Sequence, residues 1–156
     1  MASQINGTDE LSNMLAKLGN EAENIASLAL YEGAAVVANA MKSGAKSIRA
    51  APFKWGTKVH PRLPSLIEKA AVSNIGISRF RHEGGAEVNT MVGVPEGYVN
   101  INGKAKAVKL LARSINSGTS FMNKQPVFRK AISSSRGAAQ GAMVSKAEEL
   151  IDQIIE

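Results

Sequence analysis

Residues 116–132 read NSGTSFMNKQPVFRKAI, and where this stretch breaks decides how the rest of the chain is divided. Gly118 stops one helical pattern and Thr119 opens a short polar loop. Pro126 then stands where a helix restarts, because the first helical turn has no use for the N–H that proline lacks. The spacing predicts two helices joined by a tight connection. On the N-terminal side, Val108, Leu111 and Ile115 recur at helical steps and predict a helix over 104–116, with Lys104, Lys106, Lys109 and Arg113 elsewhere on its surface. On the C-terminal side, Phe128, Ala131, Ala139, Met143, Leu150 and Ile154 carry an apolar pattern to the end of the chain. Ser133, Ser134, Ser135 and Gly137 are the place where that last helix is most open to interruption.

Further upstream the period changes from helical to two. Ile75–Arg81 and Glu87–Val94 alternate around His82-Glu83-Gly84-Gly85, which predicts a β-hairpin with Ile75, Ile77, Val88, Thr90, Val92 and Val94 toward its buried faces. Pro95 and Gly97 end it, and Tyr98–Ile101 adds a short third strand. A short helix over 66–72 precedes the hairpin, capped by Ser65. From Arg49 to Pro64 all periodicity is lost. Pro52, Gly56, Pro61 and Pro64, with Lys54, Trp55, Lys58, His60 and Arg62 among them, predict a basic loop that holds the one tryptophan.

Before that loop lies one long amphipathic helix, from an N-cap at Thr8 to about Ile48. Leu11, Leu15, Leu18, Ala22, Ile25, Ala29, Val36 and Ala40 recur along it at steps of three, four or seven. Gly19, Gly33 and Gly44 inside it mark bends or the close approach of another helix. Residues 1–7 have no pattern and read as a mobile arm. The expected fold is α+β: one domain over 8–156, with long N- and C-terminal helices packed on a small antiparallel β-sheet that includes a β-hairpin.

At 156 residues the chain suits one domain, and with 44% hydrophobic but 4% aromatic residues its core must be built from aliphatic side chains. Such a core favours close helix packing over a bulky aromatic ligand pocket. Cysteine is absent, so neither disulfides nor thiolate metal sites are available. Asp9 and Glu10 stand where a signal peptide needs positive charge and an apolar run, and no stretch approaches a membrane span, so synthesis in the cytosol and no membrane contact are expected.

The formal charge of +6 is unevenly spread. Successive segments 1–41, 42–81, 82–103, 104–136 and 137–156 carry −4, +8, −3, +8 and −3. Acidic ends and basic middle blocks suit a surface that meets nucleic acid, a head-to-tail contact between copies, or an ordinary solvated exterior.

The order Gly118-Thr119, a methionine-containing loop, then Pro126-Val127-Phe128-Arg129 followed by Ala131 resembles the Gly-Thr…Pro-Phe-x-Arg-x-Ala segment of small tail components of long-tailed bacteriophages, the tail-completion or head-tail joining proteins. The likeness takes in the N-terminal helix leading to Ala51-Pro52, the basic linker, the hairpin and the middle helix. It implies a structural virion protein at the neck, made in the host cytoplasm, that completes the tail or joins head to tail. It further implies a ring of copies, six being the expected number, in contact with neck or head-completion proteins, tail tube or terminator proteins, and DNA in the channel. Gly118, Thr119, Pro126, Phe128 and Arg129 would be the joint that fixes the last helix. Lys54, Trp55, Lys58 and Arg62 would be an interaction loop.

The residues themselves leave three roles open for that loop: stacking and neutralising a single strand, plugging into a partner protein, or covering the open end of the core. Unpaired edges of the hairpin offer a further route to a neighbouring subunit. No motif points to catalysis or a cofactor. Gly97 to Gly103-Lys104-Ala105 has one residue too many between its glycines for a phosphate loop and lacks the magnesium-binding hydroxyl. Ser43-x-x-Lys46 has none of the companion motifs of penicillin-recognising enzymes. His60 and His82 have no local ligand partner, and Glu83 and Glu87 read as solvated turn charges. The expectation is a non-enzymatic structural protein without metal or cofactor, the alternative being a basic nucleic-acid-binding protein.

Overall fold

The computed structural model describes residues 8–49, 53–55, 58–60, 66–82, 88–101, 103–120 and 122–155. The expected arm at 1–7, the cap at Ser65, Arg62, and the turn acids Glu83 and Glu87 lie outside the described residues. Helix α1 runs over Thr8–Lys46 and is followed by strands β1 (Phe53–Trp55) and β2 (Lys58–His60). Helix α2 (Leu66–Ser73) leads into β3 (Gly76–Ile77), β4 (Arg81–His82), β5 (Val88–Asn89) and β6 (Val92–Gly93). Strands β7 (Tyr98–Ile101) and β8 (Lys104–Ala107) precede α3 (Val108–Ser117), and α4 (Val127–Ile155) closes the chain. The fold is α+β, as expected, although the strands among the described residues form four two-stranded antiparallel ladders in place of one continuous sheet.

The glycines of α1 show how its two longest helices meet. A Cβ on Gly33 would overlap the side chain of Met143 and lie 3.1 Å from the Ala139 carbonyl oxygen, and one on Gly44 would lie 3.1 Å from that of Val127. Glycine therefore marks close helix approach at both positions, whereas Gly19 has open space around it. With Gly33 beside 139–143 and Gly44 beside 127–131, α1 and α4 run antiparallel. Buried Ala34, Ala38, Met41 and Ala45 on α1 face Ala131, Ser135 and Ala139 on α4. The buried stripe thus lies on the C-terminal half of α1, while Leu11 and Leu15, expected to open the apolar face, are 57% and 60% exposed. Small side chains allow the close seam, and α4 passes Ser133–Ser135 and Gly137 without a break.

The main core lies where the C-terminal part of α1 meets α2, α3 and the start of α4. Val72, Ile75, Ala112, Ile115 and Phe128 complete it, with Ile77, Val92 and Val94 of the hairpin packed against it. Tyr31 of α1 meets Phe80 edge-on with ring centroids 6.4 Å apart.

The hairpin forms at the expected place but changes register in its middle. Ile77 pairs with Val92 and Arg81 with Asn89, so residues 78–80 oppose only 90–91. This is a bulge. Ser78 bridges it: its N–H donates to the Met91 carbonyl (2.8 Å), its Oγ accepts from the Met91 N–H (2.9 Å), and its carbonyl accepts from Thr90 Oγ1 (2.8 Å).

Two sequence expectations are corrected. Lys104–Ala107 is strand β8, paired from Ile101↔Lys104 to Tyr98↔Ala107, and the helix begins at Val108. The Asn102-Gly103 dipeptide is the sequence signal for a two-residue hairpin, and Gly103 has φ +76° as such a turn requires. The predicted irregular loop contains a ladder, with Phe53↔His60, Lys54↔Val59 and Trp55↔Lys58 in register.

Candidate functional site

The joint at 116–132 is held by backbone bonds and by the side chains of Asn116 and Gln125. The Gly118 N–H donates to the Ser114 carbonyl at 2.8 Å and closes α3, while Thr119 and Met122 exchange N–H···O bonds of 2.9 and 3.2 Å. Gly118 has φ +78°, and a Cβ there would lie 3.0–3.2 Å from backbone atoms of Lys124. Pro126 supplies the carbonyl that receives the Lys130 N–H (3.0 Å), and Asn116 Oδ1 accepts the Arg129 N–H (3.3 Å), satisfying one of the orphan donors in the first turn of α4. Phe128 is buried in the core.

Gln125 ties this joint to the end of α1. Its Oε1 accepts from the Arg49 N–H at 2.9 Å, its Nε2 donates to the Arg49 carbonyl at 2.6 Å, and its own N–H donates to the Ile115 carbonyl at 2.9 Å. Lys69 of α2 donates to the Ile48 carbonyl at 3.1 Å.

Antiparallel packing sorts the charge of the chain by place. Asp9, Glu10, Glu21, Glu23 and Glu32 of α1, offset by Lys17, share one end of the helix pair with Glu148, Glu149 and Asp152 of α4, offset by Lys146. Over 8–41 and 137–155 the net charges are −4 and −2, giving −6. Lys42, Lys46 and Arg49, the basic face of α3, and Arg129 and Lys130 gather at the other end. Lys109 there donates to Glu96 Oε1 at 2.6 Å, and this hydrogen bond, with the charge of Lys109, holds the Glu96 carboxyl below the usual glutamate range.

Between the two ends lies an open groove of about 760 Å³, floored by Val37, Phe128 and Met143. Arg129, Ser133 and Arg136 stand along it at helical steps, so the two guanidinium stems are about 10 Å apart along the axis of α4. Arginine forks above an apolar floor suit a partner that brings both carboxylates and aliphatic side chains.

The sequence-predicted residues do not come together in one site. Backbone pairing places Lys54, Trp55 and Lys58 in the β1–β2 ladder, and Arg62 lies outside the described residues. Gly118, Thr119, Pro126, Phe128 and Arg129 form one joint, and Arg129 alone of them also stands on the open rim of the groove. The groove was missed because it needs Val37 and Asn116 beside α4. The signal in the sequence was Arg129, Ser133, Arg136 and Gln140 at steps of four, three and four.

Among the described residues no group of three or more His, Cys, Asp or Glu is placed to hold a metal, and no helix is long and apolar enough to cross a membrane. Comparison of the chain with protein-family models, curated proteins and solved structures found no match.

Proposed function

We propose that the protein is a non-enzymatic structural subunit that assembles with copies of itself, completing the tail or joining head to tail at the neck of a long-tailed bacteriophage. The observation that carries this reading is the division of one molecule into an acidic helical end and a basic end, with a groove rimmed by Arg129 and Arg136 beside the boundary. A surface so divided is complementary to its own copies, and a head-to-tail contact between them generates a ring when the rotation closes. The virion assignment rests on the resemblance of the Gly118–Ala131 joint to the tail-component family. On this reading the joint residues set the course of α4, and the β1–β2 ribbon with Lys54, Trp55 and Lys58 is available to neighbouring neck or tail proteins.

Light scattering of the purified protein, alone and mixed with neck and tail-tube proteins, tests this reading. A multiple of the 16.4 kDa chain mass, or a defined complex, is expected. A monomer in every mixture contradicts it. The gathered basic blocks favour a second reading, a nucleic-acid-binding protein. Its mark would be DNA affinity that falls with salt at a logarithmic slope of roughly −0.9 per phosphate contacted.

A further inference from the structure

The first turns of α1 carry an apolar stripe that no described element covers. Leu11 and Leu15 are one turn apart and 57% and 60% exposed, and Leu18 continues the stripe half-buried. From the two crossing points, Ile155 of α4 falls opposite about residue 18–20 of α1, since both helices rise equally per residue. Glu10 and Glu21 flank the stripe on one edge with Lys17 between them, and the surrounding helix ends bring the net charge of −6.

We propose that this leucine-faced, acidic start of α1 is the segment that fills the Arg129–Arg136 groove of a second copy of the chain. The proposal rests on the self-assembly reading and names its contact. Leucines match the Val37, Phe128 and Met143 floor, and carboxylates match the two arginines on its rim. The groove cannot be filled by this segment from within the same molecule. α1 is one continuous helix, so Leu15 stands about 33 Å along the axis from Val37. Each copy therefore offers one segment and one groove, and the contact is heterologous, closing into a ring or running on as a filament. A helical segment of this size, about 16 Å long over 10–21, gives a contact at the small end of the interface range, below about 1,200 Å². Single contacts are weak, and a closed ring holds each copy at two of them.

The test is sedimentation velocity on the full chain, using two variants that each disable one side. Leu11→Asp with Leu15→Asp removes the segment but leaves the groove. Arg129→Glu with Arg136→Glu does the reverse. Each variant alone is expected to sediment as a monomer with an unchanged helical circular-dichroism spectrum. Mixed in equal amounts they are expected to form a heterodimer that grows no further, because one good segment and one good groove remain. The milder Leu15→Gln and Arg136→Gln variants are expected to weaken wild-type self-association at least threefold. An arginine variant that still dimerises alone overturns the proposal in favour of a segment-to-segment contact, and a helical but monomeric mixture overturns it outright. Arginine variants that lose binding to a DNA fragment while assembling normally assign the groove to nucleic acid. If both variants assemble as the wild type does, this contact is wrong and self-assembly stands. If the wild type is monomeric throughout, both fail.

Discussion

Gly118, with φ +78° and ψ 168°, occupies a backbone region essentially confined to glycine. Gly118→Ala is expected to cost about 1–3 kcal/mol from the backbone alone, and more because the new Cβ meets Lys124, as read from urea denaturation. Gln125 is the other residue on which the joint depends. Losing its two side-chain bonds to Arg49 in Gln125→Ala is expected to cost about 1–2 kcal/mol by the same measurement, and an unchanged midpoint would show that the tie is idle. The Glu96–Lys109 bridge is exposed, so its contribution to stability is small. Its direction is nonetheless fixed: folding lowers the Glu96 pKa, so the stabilisation is present above the ordinary glutamate range and is lost as pH falls through the lowered folded-state value. An NMR titration of Glu96 is expected to show that depression, and Lys109→Met is expected to abolish it. Gly118 and Pro126 were legible in the sequence because their chemistry is local. Gln125 was not, since Arg49 lies 76 residues away.

At the scale of elements, α1 and α4 form a seam of small residues in which glycines have opposite meanings. Gly137 has open space where a methyl group would sit, so Gly137→Ala is expected to stabilise the protein by about 0.5–1 kcal/mol through helix propensity. At Gly33 the added methyl overlaps Met143 and presses the Ala139 carbonyl, and Gly33→Ala is expected to lose about 1–3 kcal/mol from overpacking. Urea titrations at high salt would compare the pair; equal effects would mean that the helices do not meet as described. The long helices were legible because their apolar patterns are extended, and Pro126 marks the entry to the second. β8 was not, because Lys104–Ala107 is locally a good helix former and becomes a strand only by pairing with Tyr98–Ile101. The β1–β2 ladder escaped notice for a related reason: three-residue strands among prolines leave too short an alternation to read.

At the scale of the whole molecule, the charge blocks were readable in the sequence but their arrangement was not. Only the antiparallel course of α1 and α4 brings the two acidic segments side by side and places Arg129 and Arg136 over an apolar floor. By the same geometry α4 ends opposite about residue 18–20 of α1, so Leu11 and Leu15 extend past it and stay exposed. Sedimentation equilibrium of the wild-type chain at about 0.05 M and about 0.5 M salt, where the Debye length shrinks from about 14 Å to about 4 Å, tests the central claim of charge-guided self-assembly most directly. The account predicts a mass that is a multiple of 16.4 kDa at low salt and falls toward that of one chain at high salt. A mass of 16.4 kDa at both, across the accessible protein concentrations, would contradict it.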